Sequence, residues 1–391
     1  MPRARGYLPT LDGWRAIAVL CVILYHDALH AFGPVGTGWF YHNSSIGVDI
    51  FFGISGILIC SRLLEEEYKN NRISLFRFYI RRAFRILPAF VVYLLCAALL
   101  AALGAIPLAR KEWFASLFFC RNYSFFSHIP GHNDWYTGHF WSLAVEEHFY
   151  LLLPGLLVFV PKRWRIATFG GLAISVAAWR VYQQQSRPWV FLFQHTDIRL
   201  DALLIPAIAA ILLSQPLWYL RLSVIAKFWP LAALLVAYLM TAHRAAVGTE
   251  LMVPFLMPWI LLGTMLSPGS LAGRFLELPL LRWIGRLSYS LYIWQQLFFN
   301  GHYFHDAGFW QKFPLRWVLL LGFACASFYG IEKPMMRLGR RLAQRPTPRP
   351  AGLFPEGAAP TGDLAVLIST ICPAGEAAEA LSHDRSHELV R

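Results

Sequence analysis

The sequence contains few charged residues. Asp, Glu, Lys and Arg make up only 15% of its 391 residues, whereas a typical soluble domain contains roughly 25%. Hydrophobic residues instead reach 57%, and roughly 45–50% is usual. This composition excludes an ordinary cytosolic enzyme, a disordered protein and a nucleic-acid binder of the usual kind.

Cysteine is scarce and scattered along the chain. The six cysteines form no Cys-x-x-Cys pair, and most of them fall inside apolar stretches. Such spacing indicates neither a disulfide framework nor a zinc site. We therefore expect no bound metal and no resident cofactor.

Long apolar runs are abundant, by contrast. A transmembrane helix needs about 20 mostly apolar residues, and the 30 Phe, 16 Tyr and 15 Trp suit the aromatic belts of a membrane protein. The predicted fold is therefore all-α, a polytopic integral membrane protein of about ten transmembrane helices. The predicted spans are residues 11–31, 45–64, 86–106, 142–160, 165–183, 198–214, 228–243, 252–267, 286–300 and 315–332.

The loops between these spans carry most of their Lys and Arg on one side. Because such loops stay in the cytoplasm, we expect a multi-pass protein of the inner (plasma) membrane with both termini cytoplasmic. This bias accounts for the net charge of +13 without any nucleic-acid partner. Residues 1–345 are predicted to form the transmembrane domain, and residues 346–391, rich in Ala, Pro and Gly, a disordered cytoplasmic tail.

The first predicted span carries ionisable residues, which are costly in lipid and indicate function. Arg15 and His26 are eleven residues apart, so they project from one helical face, roughly 16 Å apart along the axis. Asp12 lies three residues before Arg15 and can neutralise it. An imidazole is suited to proton abstraction because it titrates near neutral pH. The alternative is a histidine that forms a packing hydrogen bond between helices.

The segment GHFWSLAVEEHFYLLLP contains a second polar group. His139, Ser142 and Glu146 can share one helical face, with Glu147 and His148 beside them. Alternatively this is the polar start of a helix, with Ser142 as N-cap and the carboxylates complementing the dipole. That alternative explains Ser142 well, but it explains poorly two glutamates followed by an apolar helix. Glu146 is therefore a candidate catalytic residue.

Two further segments carry acidic residues. GVDIFFGISGILI places Asp49 in the second span among small residues, which let helices approach closely. HTDIRLDALLIP puts Asp197 and Asp201 on one helical face with Arg199 between them. Pairing among these three charges and binding of a ligand are both open.

Three arginines stand just before the third predicted span. They are Arg81, Arg82 and Arg85 in the run FRFYIRRAFRILP. One interpretation is a topological anchor that touches anionic lipid. The other is a binding site for a phosphorylated cytoplasmic substrate, because the forked guanidinium group matches phosphate geometry.

Seven segments, taken together and in order, resemble the sequence blocks of the membrane acyltransferase 3 family. They cover about residues 10–337, which is nearly the whole chain except its end. The seven segments are LDGWRAIAVLCVILYH, GVDIFFGISGILI, RRAFRILP, FWSLAVEEHFYLLLP, DIRLDALLIP, SYSLYIW and YGIEKPMMR.

The resemblance implies an integral membrane O-acyltransferase. Such enzymes take an acyl group, often acetyl, from cytoplasmic acyl-CoA and pass it to a hydroxyl of a surface or exported carbohydrate of the cell envelope, or of a macrolide-type small molecule. The resemblance also implies that His26 is the catalytic histidine and Arg15 its acyl-donor partner. The remaining matches are Arg82 and Arg85 of the family's R-x-x-R, and Trp141, Ser142 and Glu146 of its F-W-S-x-x-x-E block.

One block departs from the family pattern. The block near Tyr292 usually continues with a Trp-His pair, but here it reads Trp294-Gln295-Gln296, which puts a second histidine-dependent role in doubt. A transporter or flippase for a glycan or lipid-linked substrate is the alternative function, since it also has about ten spans. Such proteins often contain internal repeats, and we find none in this sequence. The expected partners are acyl-CoA, a hydroxyl acceptor and the lipid bilayer.

Overall fold

The structure, a computed structural model, describes residues 8–36, 46–123, 135–186, 194–241, 246–299 and 312–344, together with Phe309. These residues are predominantly helical and contain no strand, which confirms the all-α prediction. The predicted tail at 346–391 lies outside the described residues. The helices are α1 (Pro9–Gly36), α2 (Ile46–Asn70), α3 (Leu75–Ala102), α4 (Arg110–Leu117), α5 (Phe140–Phe159), α6 (Arg165–Ser186), α7 (Asp201–Leu213), α8 (Pro216–Ile225), α9 (Trp229–Thr241), α10 (Ala246–Leu266), α11 (Leu271–Leu276), α12 (Pro279–Trp294), α13 (Leu315–Ser327) and α14 (Lys333–Gln344).

Each of the ten predicted spans overlaps a helix, with ends that differ by up to about ten residues. Within the part of the chain that the structure describes, five helical stretches are long and apolar enough to cross a membrane. Two shorter apolar helices, Asp201–Leu213 and Met252–Leu266, accompany them. The chain is therefore a membrane protein with apolar helices, and the count of about ten crossings stays a prediction. The five stretches are Ile46–Asn70, Leu75–Ala102, Trp135–Phe159, Pro216–Met240 and Leu315–Gln344.

Large apolar side chains cover much of the outer surface of these helices. Leu95 and Leu99 project outward from α3, Phe159 from the end of α5, and Leu231 and Leu234 from α9. Apolar residues on the outer face of a helix need an apolar surrounding. A lipid bilayer supplies it, so the pattern agrees with the composition.

Helix α3 begins earlier than its predicted span. Ser74 caps it, because the Ser74 Oγ accepts a hydrogen bond from the backbone N–H of Arg77 at 3.4 Å. The arginines expected before the helix therefore lie within it. Arg82 and Arg85, three residues apart, share a face, whereas Arg81 pairs with Glu66 at 3.1 Å.

Helices α1 and α12 run parallel in close contact. A Cβ added at Gly285 of α12 would overlap the backbone carbonyl of Asp12 in α1, so only glycine permits this approach. At the other end of the pair, Gln295 and Gln296, which directly follow α12, contact His26. These two helices therefore determine what surrounds the predicted catalytic histidine.

The charges at residues 197–201 find their partners on other helices. Arg199 pairs with Asp49 of α2 at 2.5 Å, and Asp201 pairs with Arg180 of α6. Asp197 accepts a hydrogen bond from the indole N–H of Trp179 at 2.8 Å. All of these groups except Asp197 and Trp179 are buried. Asp49 and Arg199 therefore link α2 to the short helix Thr196–Arg199 that precedes α7.

Candidate active site

A cleft between α1, α2, α3, α5 and α12 gathers several of the predicted site residues. Its empty volume is about 740 Å³, including the part open to solvent. Arg15, Arg82, Arg85, Ser142 and Glu146 all line it. Five different segments of the chain thus converge on one space that holds three guanidinium groups, one carboxylate and several hydroxyls. We call this space the cleft.

Arg15 stands at the cleft with its charge partly balanced. Its Nη1 lies 3.0 Å from Asp12 Oδ1, one helical turn earlier in α1, as the spacing of the two residues predicts. Asp12 is buried, and Arg15 remains partly exposed. The carboxylate therefore orients the guanidinium and leaves other N–H donors for a ligand.

Glu146, Tyr150 and Arg82 form a second polar unit in the cleft. The Tyr150 hydroxyl donates to Glu146 Oε2 at 2.6 Å and lies 3.2 Å from Ser55 Oγ. The Arg82 guanidinium lies over the ring of the same tyrosine, 5.1 Å from its centroid, in a cation–π arrangement. Glu146 thus lies with the predicted donor-binding arginines, and its hydrogen bond is to Tyr150.

A larger basic cavity, which we call the vestibule, adjoins the cleft. Its empty volume is about 1830 Å³, again counting open space. Arg82 and Arg85 line both the vestibule and the cleft, so these two arginines stand where the two spaces meet. The other cations of the vestibule are Arg62, Lys69, Arg77, Arg81 and Arg340, against the carboxylates Glu65 and Glu66.

Both vestibule carboxylates are already paired. Glu65 binds Arg62 and Lys69, at 3.3 and 2.6 Å, and Glu66 binds Arg81. Among the residues that the structure describes, Arg77, Arg82, Arg85 and Arg340 form no ion pair. Four unpaired cations around one cavity make it a site suited to an anion with several charges.

The inner end of the cleft is formed by Ser142 and Tyr292. The Tyr292 hydroxyl donates to the backbone carbonyl of His139, so Ser142 Oγ must be the donor in its 2.6 Å contact with Tyr292. Ser142 lies inside α5, which begins at Phe140. The interpretation of Ser142 as an N-cap is therefore wrong, because the helix starts two residues earlier and the hydroxyl contacts α12 instead.

His26 is held by the residues that follow α12. Its Nδ1 lies 3.1 Å from Gln295 Oε1, and its Nε2 lies 3.2 Å from Gln296 Nε2. The edge of its ring packs against Trp135, with the ring centroids 5.4 Å apart and the planes nearly perpendicular. The imidazole is partly exposed, whereas both glutamines are buried.

The cleft and His26 are neighbouring parts of one arrangement. His26 does not line the cleft, but Gln295 follows the cleft residue Tyr292 by three positions, roughly 5 Å along the helix axis. The structure thus brings together Arg15, Arg82, Arg85, Ser142 and Glu146. It places His26 about one helical turn beyond the end of the cleft at Tyr292.

Besides Asp12, which pairs with Arg15, two other predicted residues lie outside the cleft. Asp49 is occupied by its ion pair with Arg199, and Trp141 packs edge-on against Phe52, with the centroids 6.4 Å apart. Asp49 and Trp141 are both buried and hold neighbouring segments together through these contacts. Within the described ranges, no group of three His, Cys, Asp or Glu side chains is arranged to hold a metal ion.

Some residues of the site are absent from the sequence-based predictions. Tyr150 lies one turn after Glu146, and this i, i+4 spacing was the available signal for their hydrogen bond. Gln295 and Gln296 stood out only as a departure from the family pattern. Their contact with His26 joins residues 269 and 270 positions apart in sequence, which no local pattern reveals.

The comparisons with known proteins identify the class. A family model described as an acyltransferase domain matches residues 8–332, and the chain therefore belongs to this family, acyltransferase 3. Among its relatives is the O-acetyltransferase OatA of Staphylococcus aureus strain NCTC 8325 / PS 47, which is 29% identical over 365 residues. OatA of strain COL is equally similar. The match covers 85% of this chain but only 58% of OatA. No solved structure matches this chain significantly.

Proposed function

We propose that this chain is an integral membrane O-acyltransferase that moves an acetyl group from cytoplasmic acetyl-CoA to a hydroxyl of a surface or exported carbohydrate. Family membership supports the class of reaction, and the similarity to the O-acetyltransferase OatA supports the acetyl group. The choice of acetyl-CoA as donor rests on one observation: Arg82 and Arg85 line both the cleft and the vestibule.

The donor fits this junction by its charge and shape. Acyl-CoA has one end rich in phosphates and another end, the pantetheine thioester, that is narrow and nearly uncharged. The phosphates suit the unpaired cations of the vestibule, because arginine matches phosphate with parallel hydrogen bonds. The smaller cleft suits the thioester arm, with Arg15 and the hydroxyls of Ser142 and Tyr292 along its walls.

The transfer itself needs a base next to the end of that arm. A thioester is already activated, so the acceptor hydroxyl must lose its proton while it attacks the acyl carbon. In the proposed reaction the proton passes to His26 Nε2. A C–O bond forms, the C–S bond breaks, and the CoA thiolate takes up a proton. Orientation of donor and acceptor by the fixed helices supplies the rest of the acceleration.

The function is tested with purified protein in lipid vesicles and acetyl-CoA labelled in the acetyl group. Carbohydrate acceptors are added, and the label is followed by mass spectrometry. We expect label in an ester that mild base removes, and we expect none with His26→Ala. Transport of labelled carbohydrate across the vesicle membrane without any ester would instead support the transporter or flippase alternative.

The acceptor class is tested in cells. Mass spectrometry compares surface glycans and small-molecule extracts from cells with and without the protein. A base-labile mass increase of one acetyl group on a glycan is the expected result. The same increase confined to a small molecule would move the acceptor to the macrolide-type class.

A further inference from the structure

The two glutamines that hold His26 differ in what they offer to its ring. The nitrogen Nδ1 faces Gln295 Oε1, and an amide oxygen can only accept a hydrogen bond. The nitrogen Nε2 faces Gln296 Nε2, and an amide nitrogen can only donate. In the orientation that the structure gives the two amides, both contacts agree with one ring tautomer, with the proton on Nδ1 and the lone pair on Nε2.

We propose that Gln295 and Gln296 form a clamp that sets the tautomer of His26, and that the Gln296 amide covers Nε2 until the acceptor hydroxyl displaces it. Gln295 is in this sense a positioning residue, because it acts through the imidazole. The proposal rests on the proposed function for its kinetic consequences. The tautomer itself can be observed without any reaction.

The surroundings keep the clamp in place. Gln295 is fully buried and Gln296 is 3% exposed, so neither amide exchanges freely with water. The indole N–H of Trp135 donates to the backbone carbonyl of Gln296 at 2.9 Å, while the Trp135 ring packs against His26 itself. One tryptophan thus fixes both the imidazole and the chain that carries its partner.

In the part of the chain that the structure describes, no carboxylate takes the place of the amides. The neighbouring Asp27 is engaged with Arg316 at 2.5 Å, and the other ring that contacts His26 is the neutral Tyr25. Among the described residues, the hydrogen bonds of the His26 ring are therefore made to neutral groups, namely the side chains of Gln295 and Gln296 and the backbone of Val22. A neutral acceptor at Nδ1 orients the ring as a carboxylate does, but it stabilises the protonated imidazole less. An activated thioester needs only such a modest base.

The hydrogen bond from Gln296 to Nε2 protects the donor from hydrolysis. A base beside a bound thioester can activate water as readily as an acceptor hydroxyl, and attack by water would hydrolyse acyl-CoA without acyl transfer. While the Gln296 N–H occupies the Nε2 lone pair, water gains no access to the base. An acceptor that is already bound through groups other than its reacting hydroxyl displaces the Gln296 hydrogen bond. Its hydroxyl then transfers its proton to Nε2. The freed amide N–H then lies next to the reacting oxygen.

The kinetic test uses acetyl-CoA with a carbohydrate acceptor and three variants. Gln295→Leu keeps the side-chain volume but removes the acceptor at Nδ1. We expect kcat to fall about tenfold or more, with the acceptor KM little changed. Gln295→Glu restores an oxygen at this position and is expected to recover most of kcat. A role limited to packing predicts instead that Glu, which introduces a buried charge, is at least as harmful as Leu.

Gln296→Ala uncovers Nε2 and leaves room for water. We expect the hydrolysis of acetyl-CoA without acceptor to rise severalfold, while Gln295→Leu lowers it. Gly322→Ala, on an open face of α13, is the folding-neutral control. Normal kcat in Gln295→Leu would overturn the positioning role. Unchanged hydrolysis in Gln296→Ala would overturn the cover.

A second measurement is independent of activity. Nitrogen NMR of the full-length protein labelled with ¹⁵N-histidine identifies the His26 signals as those lost in His26→Gln. We expect a protonated Nδ1 and an unprotonated Nε2, and a loss of this preference in Gln295→Leu. A protonated Nε2 in the wild type would overturn the clamp even if the protein transfers acetyl groups. The expected tautomer in a protein without transfer would support the clamp and contradict the proposed function.

Discussion

Gly285 and Asp12 make the closest approach between the two helices that define the site. The backbone carbonyl of Asp12 occupies the space into which any side chain at position 285 would project. Asp12 is also the residue that pairs with Arg15. The contact therefore determines both the separation of α1 from α12 and the position of the Arg15 guanidinium in the cleft.

This contact predicts a strong and local effect of a single methyl group. Gly285→Ala forces α1 away from α12, because the obstruction is backbone and cannot rotate aside. We expect a loss of about 1–3 kcal/mol of stability, as in other overpacked sites, and a lower activity. Thermal unfolding in detergent measures the first and acetyl transfer the second.

The matched control is Gly322→Ala, since a Cβ there meets no atom within 4 Å. Alanine favours helix over glycine by up to about 1 kcal/mol, so this variant is expected to be neutral or slightly stabilised. Equal behaviour of the two variants would contradict the close approach of α1 and α12.

Replacing Arg82 and Arg85 together with Gln tests the donor site. Each charge-assisted contact contributes roughly 1.5–3 kcal/mol, and 1.4 kcal/mol is tenfold in affinity. We therefore expect acetyl-CoA binding to weaken about tenfold or more. The loss is expected to shrink as salt rises, because screening already weakens the wild-type contacts. Calorimetric titration at two salt concentrations measures both effects.

The double Lys variant separates binding from topology. Lysine retains the positive charge but not the forked geometry, so it recovers only part of the affinity if these residues hold phosphates. Arg163→Gln, an exposed arginine outside both cavities, is the control and binds normally. Full affinity in the Gln variant would leave Arg82 and Arg85 as topological anchors.

His26→Ala is expected to abolish acetyl transfer while expression and membrane insertion stay normal. The side chain is partly exposed, so its removal leaves no large closed cavity. His26→Gln preserves a hydrogen-bonding group but supplies no base, and it is expected to be equally inactive. His148→Gln, whose ring contacts Thr196 and not the cleft, retains activity. Transfer at a near-normal rate in His26→Ala would eliminate this histidine as the base.

The orientation of the chain follows from the charge bias of its loops. We expect both termini in the cytoplasm, which places the vestibule on the side where acyl-CoA is made. Reporters fused before Met1 and after Arg391 measure this directly. A C-terminal reporter active only outside the cell would contradict the even number of spans and the assignment of the vestibule to the donor.

The ten predicted helices could be located from the sequence because each carries its own apolar run. All ten predicted segments overlap helices in the structure, with ends that differ by several residues, since hydrophobic length is a local property. The start of α3 was placed too late because a run of arginines reads as a loop. In the structure Ser74 begins the helix and its first turns carry the arginines.

The sequence by itself also determined the chemical character of the site. Arg15, His26, Ser142 and Glu146 stand out as polar residues within apolar segments. Arg82 and Arg85 stand out as members of an arginine run, and five of these six residues line the cleft. Their spacing predicted the pairing of Asp12 with Arg15. These relations lie within one helix, where 3.6 residues per turn decide which side chains meet.

Only the tertiary structure decided the partners across helices. It paired Asp49 with Arg199 and brought Ser142 to Tyr292. It also placed Gln295 and Gln296 on the two nitrogens of His26. Most of these contacts join positions more than one hundred residues apart, and they depend on how closely α1, α2 and α12 pack. That packing follows from the shapes of whole helix faces, such as the space that Gly285 leaves for Asp12, and a local pattern does not contain it.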